Sequence, residues 1–315
     1  MKKRIVFMGT PDFAVRSLEV LLNEGIDVAA VVTVPDKPAG RGQQLSESAV
    51  KKFAKEKNLP ILQPEKLKDE GFIQELKNIN ADLFVVVAFR MLPEVIWQMP
   101  ELGTINLHAS LLPQYRGAAP INWAVINGEK ETGATTFFIE KEIDTGKIID
   151  SVKIPIHEKD NAGIVHDNLM EAGAHLLLRT VKAIFAGTTN PLEQNQSAIK
   201  ELKAAPKIFK EDGLINWRNS TRSVYNKIRG LSPYPGAWTK IAKDDQAKTL
   251  KIYSVEMDQD GKDHSGELTV TGGKVAFGCS DGWLLADDLQ LEGKKRMKSN
   301  EFLNGFQPSG WTAVL

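Results

Sequence analysis

Cysteine is nearly absent: the 315-residue chain holds one, Cys279. No internal disulfide can form, which fits a reducing compartment and excludes the cysteine-rich metal architectures. Histidine is sparse too, at five residues, and none stands in an HxxxH or HExxH spacing, so no metal is expected. Long hydrophobic runs are missing. The N-terminus passes from Lys2, Lys3 and Arg4 into only five apolar or small residues before Thr10 and Pro11. That is too short for a secretion signal or a membrane span, and a soluble cytoplasmic protein is expected. Neither sign of charge dominates: forty basic side chains face forty acidic ones. A uniformly basic nucleic-acid binder is thereby excluded, and any such role must come from local patches. Two nucleotide signatures are also missing. Where a dinucleotide-binding chain would carry GxGxxG, the turn after the first apolar run reads Gly9-Thr10-Pro11, and no P-loop pattern occurs anywhere.

What is present is an alternation of short apolar runs with helical patterns. Residues 4–8, 27–34, 83–88 and 104–108 read as buried strands rich in valine and isoleucine. A helix opens at Pro11-Asp12 and closes at Gly25. Continuous apolar strands separated by helices indicate an α/β fold with a mostly parallel sheet covered on both faces. Ligands bind such sheets beyond the carboxyl ends of the strands. Residues 135–140 and 147–156 read as further strands, and 162–186 as one long helix. The following stretch to residue 207 is polar and carries two prolines, which marks a linker. A helix over 219–230 and five short strands within 238–291 then predict a small β-barrel. The expected division is a catalytic domain at 1–187, a linker at 188–207 and a barrel domain at 208–315.

The chemistry concentrates in two places. Residues 105–117 read INLHASLLPQYRG, and Asp144 lies in the sequence EIDTG further on. On a strand, Asn106 and His108 point to the same face while Leu107 points into the core. An amide can donate to a developing oxyanion, an imidazole can move a proton, and a carboxylate can orient the imidazole or accept the proton. These are the parts needed for acyl transfer to an amine.

The run from Ile105 through INLHASLLPQYRGAAPINWAVINGEKETGATTFFIEKEIDTGKII resembles the core of the folate-dependent formyltransferases. RIVFMGTPDFAV, PDKPAGRGQQL, SPYPGAW and EGKKRM extend the likeness over nearly the full length. The resemblance implies a Rossmann-like catalytic domain followed by an OB-like barrel, with Asn106, His108 and Asp144 as the catalytic set. It implies 10-formyltetrahydrofolate as co-substrate, bordered by Val87, Ala88, Phe89, Arg90, Ser110, Leu111, Leu112 and Pro113. The family usually carries Tyr-Gly where this chain has Phe89-Arg90, and the run to Pro93 is one residue shorter, so backbone rather than side-chain contacts are expected there.

The resemblance further implies that the formyl group passes to methionine on initiator methionyl-tRNA. Lys37 and Arg41, in a loop rich in glycine and proline, are expected to reach the RNA, as are Lys207, Lys294, Lys295 and Arg296. Local charge agrees: residues 205–240 hold seven basic side chains against two acidic ones. No added apolar surface argues for oligomerisation, and a monomer is expected.

Overall fold

The computed structural model describes residues 2–39, 44–195 and 201–314. The chain folds into two compact units. The first comprises Met1–Gly117, Thr132–Ile154 and His166–Ala204; the second comprises Ala118–Glu131, Pro155–Val165 and Ala205–Leu315.

In chain order the elements begin with β1 (Arg4–Gly9), α1 (Asp12–Asn23), β2 (Asp27–Val32), β3 (Lys37–Ala39), β4 (Gln44–Ser46), α2 (Ala49–Glu56) and β5 (Ile61–Leu62). Next are α3 (Glu70–Ile79), β6 (Leu83–Val87), α4 (Glu94–Trp97), β7 (Thr104–His108), β8 (Arg116–Gly117) and α5 (Pro120–Ile126). Then come β9 (Glu131–Phe138), β10 (Ile148–Pro155), α6 (Ala162–Ala186), β11 (Ala204–Ala205) and α7 (Thr221–Gly230). The chain ends with β12 (Ala237–Lys243), β13 (Gln246–Asp258), β14 (Leu268–Thr271), β15 (Lys274–Cys279), β16 (Gly282–Leu291), β17 (Met297–Lys298), α8 (Ser299–Gly305) and β18 (Thr312–Ala313).

The first unit is built on a sheet in the order β10-β9-β7-β6-β1-β2-β5. The pairs β1/β2, β1/β6, β2/β5 and β6/β7 are parallel, and β7/β9 is antiparallel. Every residue of β6 is buried, as a strand covered on both faces requires. One face carries Val6, Met8, Phe84 and Val86 against Phe72, Leu76 and Ile96 from α3 and α4. On the other, Leu107 meets α6 at Gly173, where an added Cβ would lie 3.2 Å from Leu107 Cδ2. Side-chain caps start the helices that periodicity alone did not reveal. Ser48 accepts from the Lys51 amide ahead of α2, and Asp69 from the Phe72 amide ahead of α3.

The second unit is an antiparallel barrel in the order β14-β15-β16-β13-β12-β18, with β17 on β16. A backbone bond from Ala313 N to Gly266 O, 2.9 Å, joins its two ends, which removes most of the free strand edge. Trp217 stacks on Phe277 at 4.8 Å in the core and satisfies its indole N–H on Thr239 Oγ1 at 2.9 Å. Helix α5 packs against α7 within this unit. The Asn122 amide donates to Gly230 O at 2.8 Å, and a Cβ at Gly230 would lie 2.5 Å from Ile126 Cγ1.

Cys279 is fully buried in this barrel, and burial pushes its thiol up to about 12. Reactivity requires the thiolate. The folded protein is therefore expected to resist alkylation at pH 8 and to label completely in guanidinium. Prompt labelling under native conditions would contradict this packing.

Candidate active site

Strand β7 places Asn106 beside Val86 of β6 in the parallel register, and His108 lies two residues on, at the strand's carboxyl end. Among the described residues the Asn106 carboxamide has no hydrogen-bond partner, although the residue is half-buried. A polar amide left unengaged at a strand end is a donor and acceptor held ready for a ligand.

His108 is fixed at one nitrogen. Its Nε2 lies 2.9 Å from the Tyr115 carbonyl oxygen. A carbonyl only accepts, so Nε2 carries the hydrogen. In the neutral ring Nδ1 is then a lone pair, and it faces Asp144 Oδ2 at 3.8 Å. That separation exceeds hydrogen-bond reach but lies within ion-pair distance. A proton arriving on Nδ1 turns two facing electron-rich atoms into an imidazolium–carboxylate pair. The arrangement is a proton acceptor, and the two side chains are 7% and 12% exposed, so solvent screens it little.

Asp144 is positioned by backbone as much as by side chain. It sits in the left-handed region at φ 55°, a conformation that Asp tolerates better than most residues. Its Oδ2 accepts from the Gly117 amide at 2.9 Å. The Gln194 side chain donates to the Asp144 and Gly146 carbonyls, 2.9 Å each, and its own oxygen accepts from Arg116 Nη2 at 2.5 Å. Gln194 lies in the stretch that its polarity marks as linker, and nothing in the sequence signals this role. Thr135 is a second such residue. Its hydroxyl donates to Ser110 O at 2.6 Å and accepts from Leu112 N at 3.2 Å, pinning the loop after β7.

The residues expected around the folate fall into two groups. Val87 ends β6 in the core, whereas Ala88 is exposed and left-handed at φ 47°. The Arg90 guanidinium is tied down, donating to Pro64 O at 2.8 Å and Glu65 O at 3.1 Å, and lies 5.3 Å from the Phe89 ring. After β7, the Ser110 hydroxyl is spent on Gln114 O at 2.6 Å, and Leu112 is buried before a cis bond to Pro113. Leu111 packs at Gly133, where a Cβ would lie 2.4 Å from its Cδ2.

Of the residues expected to face RNA, Lys37 is exposed on β3, and Arg41 lies outside the described residues. Lys207 is exposed, with its Nζ 5.4 Å from the Phe209 ring. Lys294 and Lys295 are exposed in the turn after β16. Arg296 is engaged in a two-pronged pair with Asp288, at 2.9 and 2.7 Å, and lies over the Tyr253 ring at 4.1 Å. The linear charge count over residues 205–240 overstates the surface charge there, because Arg229 is buried and Arg222 is paired with Glu158.

Two family profiles match this chain: formyl transferase over residues 2–181, and the formyl transferase C-terminal domain over residues 207–307. The chain belongs to the formyl transferase family. Among curated formyl transferases, the methionyl-tRNA formyltransferase of Bacteroides thetaiotaomicron is 54% identical over 316 residues, covering 98% of each chain. That of Flavobacterium johnsoniae is 48% identical over 305 residues, covering 96% of each. Solved structures share the fold at low identity. WlaRD, a sugar 3N-formyl transferase solved with dTDP and 5-N-formyl-THF, has a TM-score of 0.66 at 20% identity, over 94% of this chain and all of its own. HypX from Aquifex aeolicus, solved with tetrahydrofolic acid, has a TM-score of 0.65 at 18% identity, over 100% of this chain and 51% of its own.

Proposed function

We propose that this formyl transferase moves the formyl group of 10-formyltetrahydrofolate to the amino group of methionine on initiator methionyl-tRNA, giving N-formylmethionyl-tRNA for translation initiation. Its relatives at 47–54% identity are named methionyl-tRNA formyltransferases and match it along almost the whole chain. The observation that carries the chemistry is the unengaged Asn106 amide beside a histidine whose free nitrogen faces a carboxylate.

A free α-amino group has a pKa of about 8, and esterification of the neighbouring carboxyl lowers it, so much of the amine is neutral at cellular pH. The amine is itself the nucleophile, and no covalent enzyme intermediate is needed. The harder tasks are to hold the amine against the formyl carbon and to stabilise the oxyanion that develops on the formyl oxygen. Asn106 supplies the donor. The His108–Asp144 pair takes up the proton that the attacking nitrogen sheds, with Nδ1 as the receiving atom. The folate-facing residues Val87 to Arg90 and Ser110 to Pro113 act through backbone: Ala88 is an exposed left-handed turn at the end of β6, while the two terminal nitrogens of Arg90 bond the Glu65 and Pro64 carbonyls and the Ser110 hydroxyl bonds Gln114 O.

RNA binding falls to Lys37, Arg41, Lys207, Lys294, Lys295 and Arg296. The functional domains are 1–187 and 208–315, joined by 188–207, in a monomeric cytoplasmic enzyme. Among the described residues, no helix is long and apolar enough to cross a membrane, and no three histidine, cysteine or carboxylate residues are grouped to hold a metal ion. Neutralising Lys294 and Lys295 together should raise KM for the RNA severalfold and leave KM for the folate unchanged. It should also flatten the slope of log KM against log salt by about 1 for each phosphate no longer neutralised. An unchanged slope would remove these two lysines from the RNA surface.

The deciding experiment compares formyl transfer to charged initiator methionyl-tRNA, charged elongator methionyl-tRNA and free methionine. Transfer confined to the initiator is expected. Transfer to none of them, with folate binding intact, would mean that another amine is the acceptor.

A further inference from the structure

The barrel unit contains a cavity of about 260 Å³ whose lining includes none of Asn106, His108 and Asp144. Its wall carries the cations Lys159, Arg229, Arg296 and Lys298, the polar Asn161 and Ser232, and one carboxylate, Asp288. We propose that it is an anion site that takes a phosphate group.

The charges do not balance without a ligand. Arg296 is neutralised by Asp288 and Lys298 by Asp287. Arg229 is only 8% exposed, and among the described residues no carboxylate lies within ion-pair distance of it. Its Nε donates to Asn226 Oδ1 at 2.9 Å and its Nη1 to Asp160 O at 2.9 Å, leaving Nη2 without a hydrogen-bond partner among the described residues. Glu158 and Asp160 attract this guanidinium only from beyond ion-pair distance, so its charge is compensated in part, and an anion in direct contact would complete the site. Burial accordingly disfavours its charged form. Lys159, exposed on the same wall, has no carboxylate partner among the described residues and is free to turn to a ligand.

The neutral groups on the wall agree. Ser232 is 1% exposed, yet its hydroxyl makes no hydrogen bond among the described residues. Asn161 uses its Oδ1 to cap α6 at Ile164 N, 3.0 Å, which leaves its Nδ2 hydrogens free. The two tyrosines on the wall are already committed: Tyr225 donates to Glu158 O and Tyr253 to Gln290 Oε1. The unspent groups are thus a guanidinium arm, an ammonium, an amide NH₂ and a hydroxyl, and every one of them can donate. A cavity whose free valences are donors and whose free charges are positive is complementary to a tetrahedral oxyanion. At this size it admits a phosphate with a small substituent rather than a whole dinucleotide.

The group can arrive as a free phosphate or phosphate monoester, or as part of an RNA backbone. The inference does not depend on which amine the enzyme formylates. Inorganic phosphate is the probe: saturable binding to the full chain is followed by ³¹P NMR and by thermal shift, against chloride at matched ionic strength. The wild type should bind at one site, and Lys159→Gln and Ser232→Ala should each weaken binding about tenfold, the loss expected for one charge-assisted hydrogen bond. Both substitutions lie outside the catalytic set, and neither removes the Arg229 hydrogen bonds that hold α7. Competition between phosphate and methionyl-tRNA, with matching rises in KM for the RNA in both variants, would identify a backbone phosphate as the occupant. Phosphate binding without competition would identify a free phosphorylated ligand. No saturable binding in the wild type, or binding that both variants retain at full strength, overturns the proposal.

Discussion

Asn106→Ala should lower kcat by about two to three orders of magnitude, the loss typical when one oxyanion donor is removed. KM for folate and for RNA should move far less, because the amide is needed most when charge develops on the formyl oxygen. The expectation rests on three facts about one side chain. Its amide is unengaged among the described residues, it shares a strand face with His108, and it sits at the carboxyl edge of a parallel sheet. Single-turnover transfer from 10-formyltetrahydrofolate, read beside an independent measure of folate binding, separates the two effects. Asn106→Asp is the sharper variant: it keeps the shape but puts negative charge where the oxyanion must form, and it should be at least as damaging as alanine. A kcat within tenfold of wild type for Asn106→Ala would remove it from the catalytic set.

Gly146→Ala should be comparably severe for a different reason. An added Cβ would stand 1.8 Å from Phe138 O, a backbone atom that cannot swing aside. Phe138 closes β9, is paired in register with Ile105 of β7, and donates its amide to Lys147 O at 3.1 Å. Relief must therefore come from the turn, and the turn carries Asp144. A shift there breaks the Gln194 bonds to the Asp144 and Gly146 carbonyls and moves Asp144 away from His108. A displacement of about 1 Å in a positioned catalytic group costs on the order of a hundredfold, and overpacking costs about 1–3 kcal/mol of stability. Reduced melting temperature together with at least a hundredfold lower kcat is the expected pair of results. A variant with wild-type turnover would show that Asp144 needs no fixed position.

The strands were legible in the sequence wherever the environment is one-sided in its demands. Residues of β1, β2 and β6 are buried on both faces, so their sequences are nearly continuous apolar runs, β7 alternates apolar Ile105 and Leu107 with polar Thr104, Asn106 and His108, and α6 runs over 162–186 as its spacing indicates. Short elements defined by caps were not legible. Helices α2 and α3 start on Ser48 and Asp69, single residues whose capping role is visible only once their amide partners are known. The reach of β9 back to Glu131 is not legible because polar Thr132 and Gly133 break the apolar pattern ahead of residue 135, yet both are buried. Thr136 and Thr180 satisfy each other at 2.8 Å. Asn106, His108 and Asp144 could be proposed from alternation, chemistry and family resemblance. Gln194 could not, because a single glutamine in a polar stretch carries no signal until its two carbonyl partners are found.

The composition of the barrel unit has a consequence for how the protein is made. Residues 118–131 and 155–165 are packed into it, although they are synthesised long before the strands they join. Ile126 packs into a core whose other members begin at residue 208, and the α5 amide at Asn122 waits for the Gly230 carbonyl. On the ribosome the nascent first half therefore carries an apolar helix with nowhere to dock until α7 has emerged. A chain released after residue 187 would expose that face permanently, so the catalytic half alone should be a poor folder and a substrate for chaperones, whereas an intact chain nicked between residues 188 and 207 should keep α5 docked on α7.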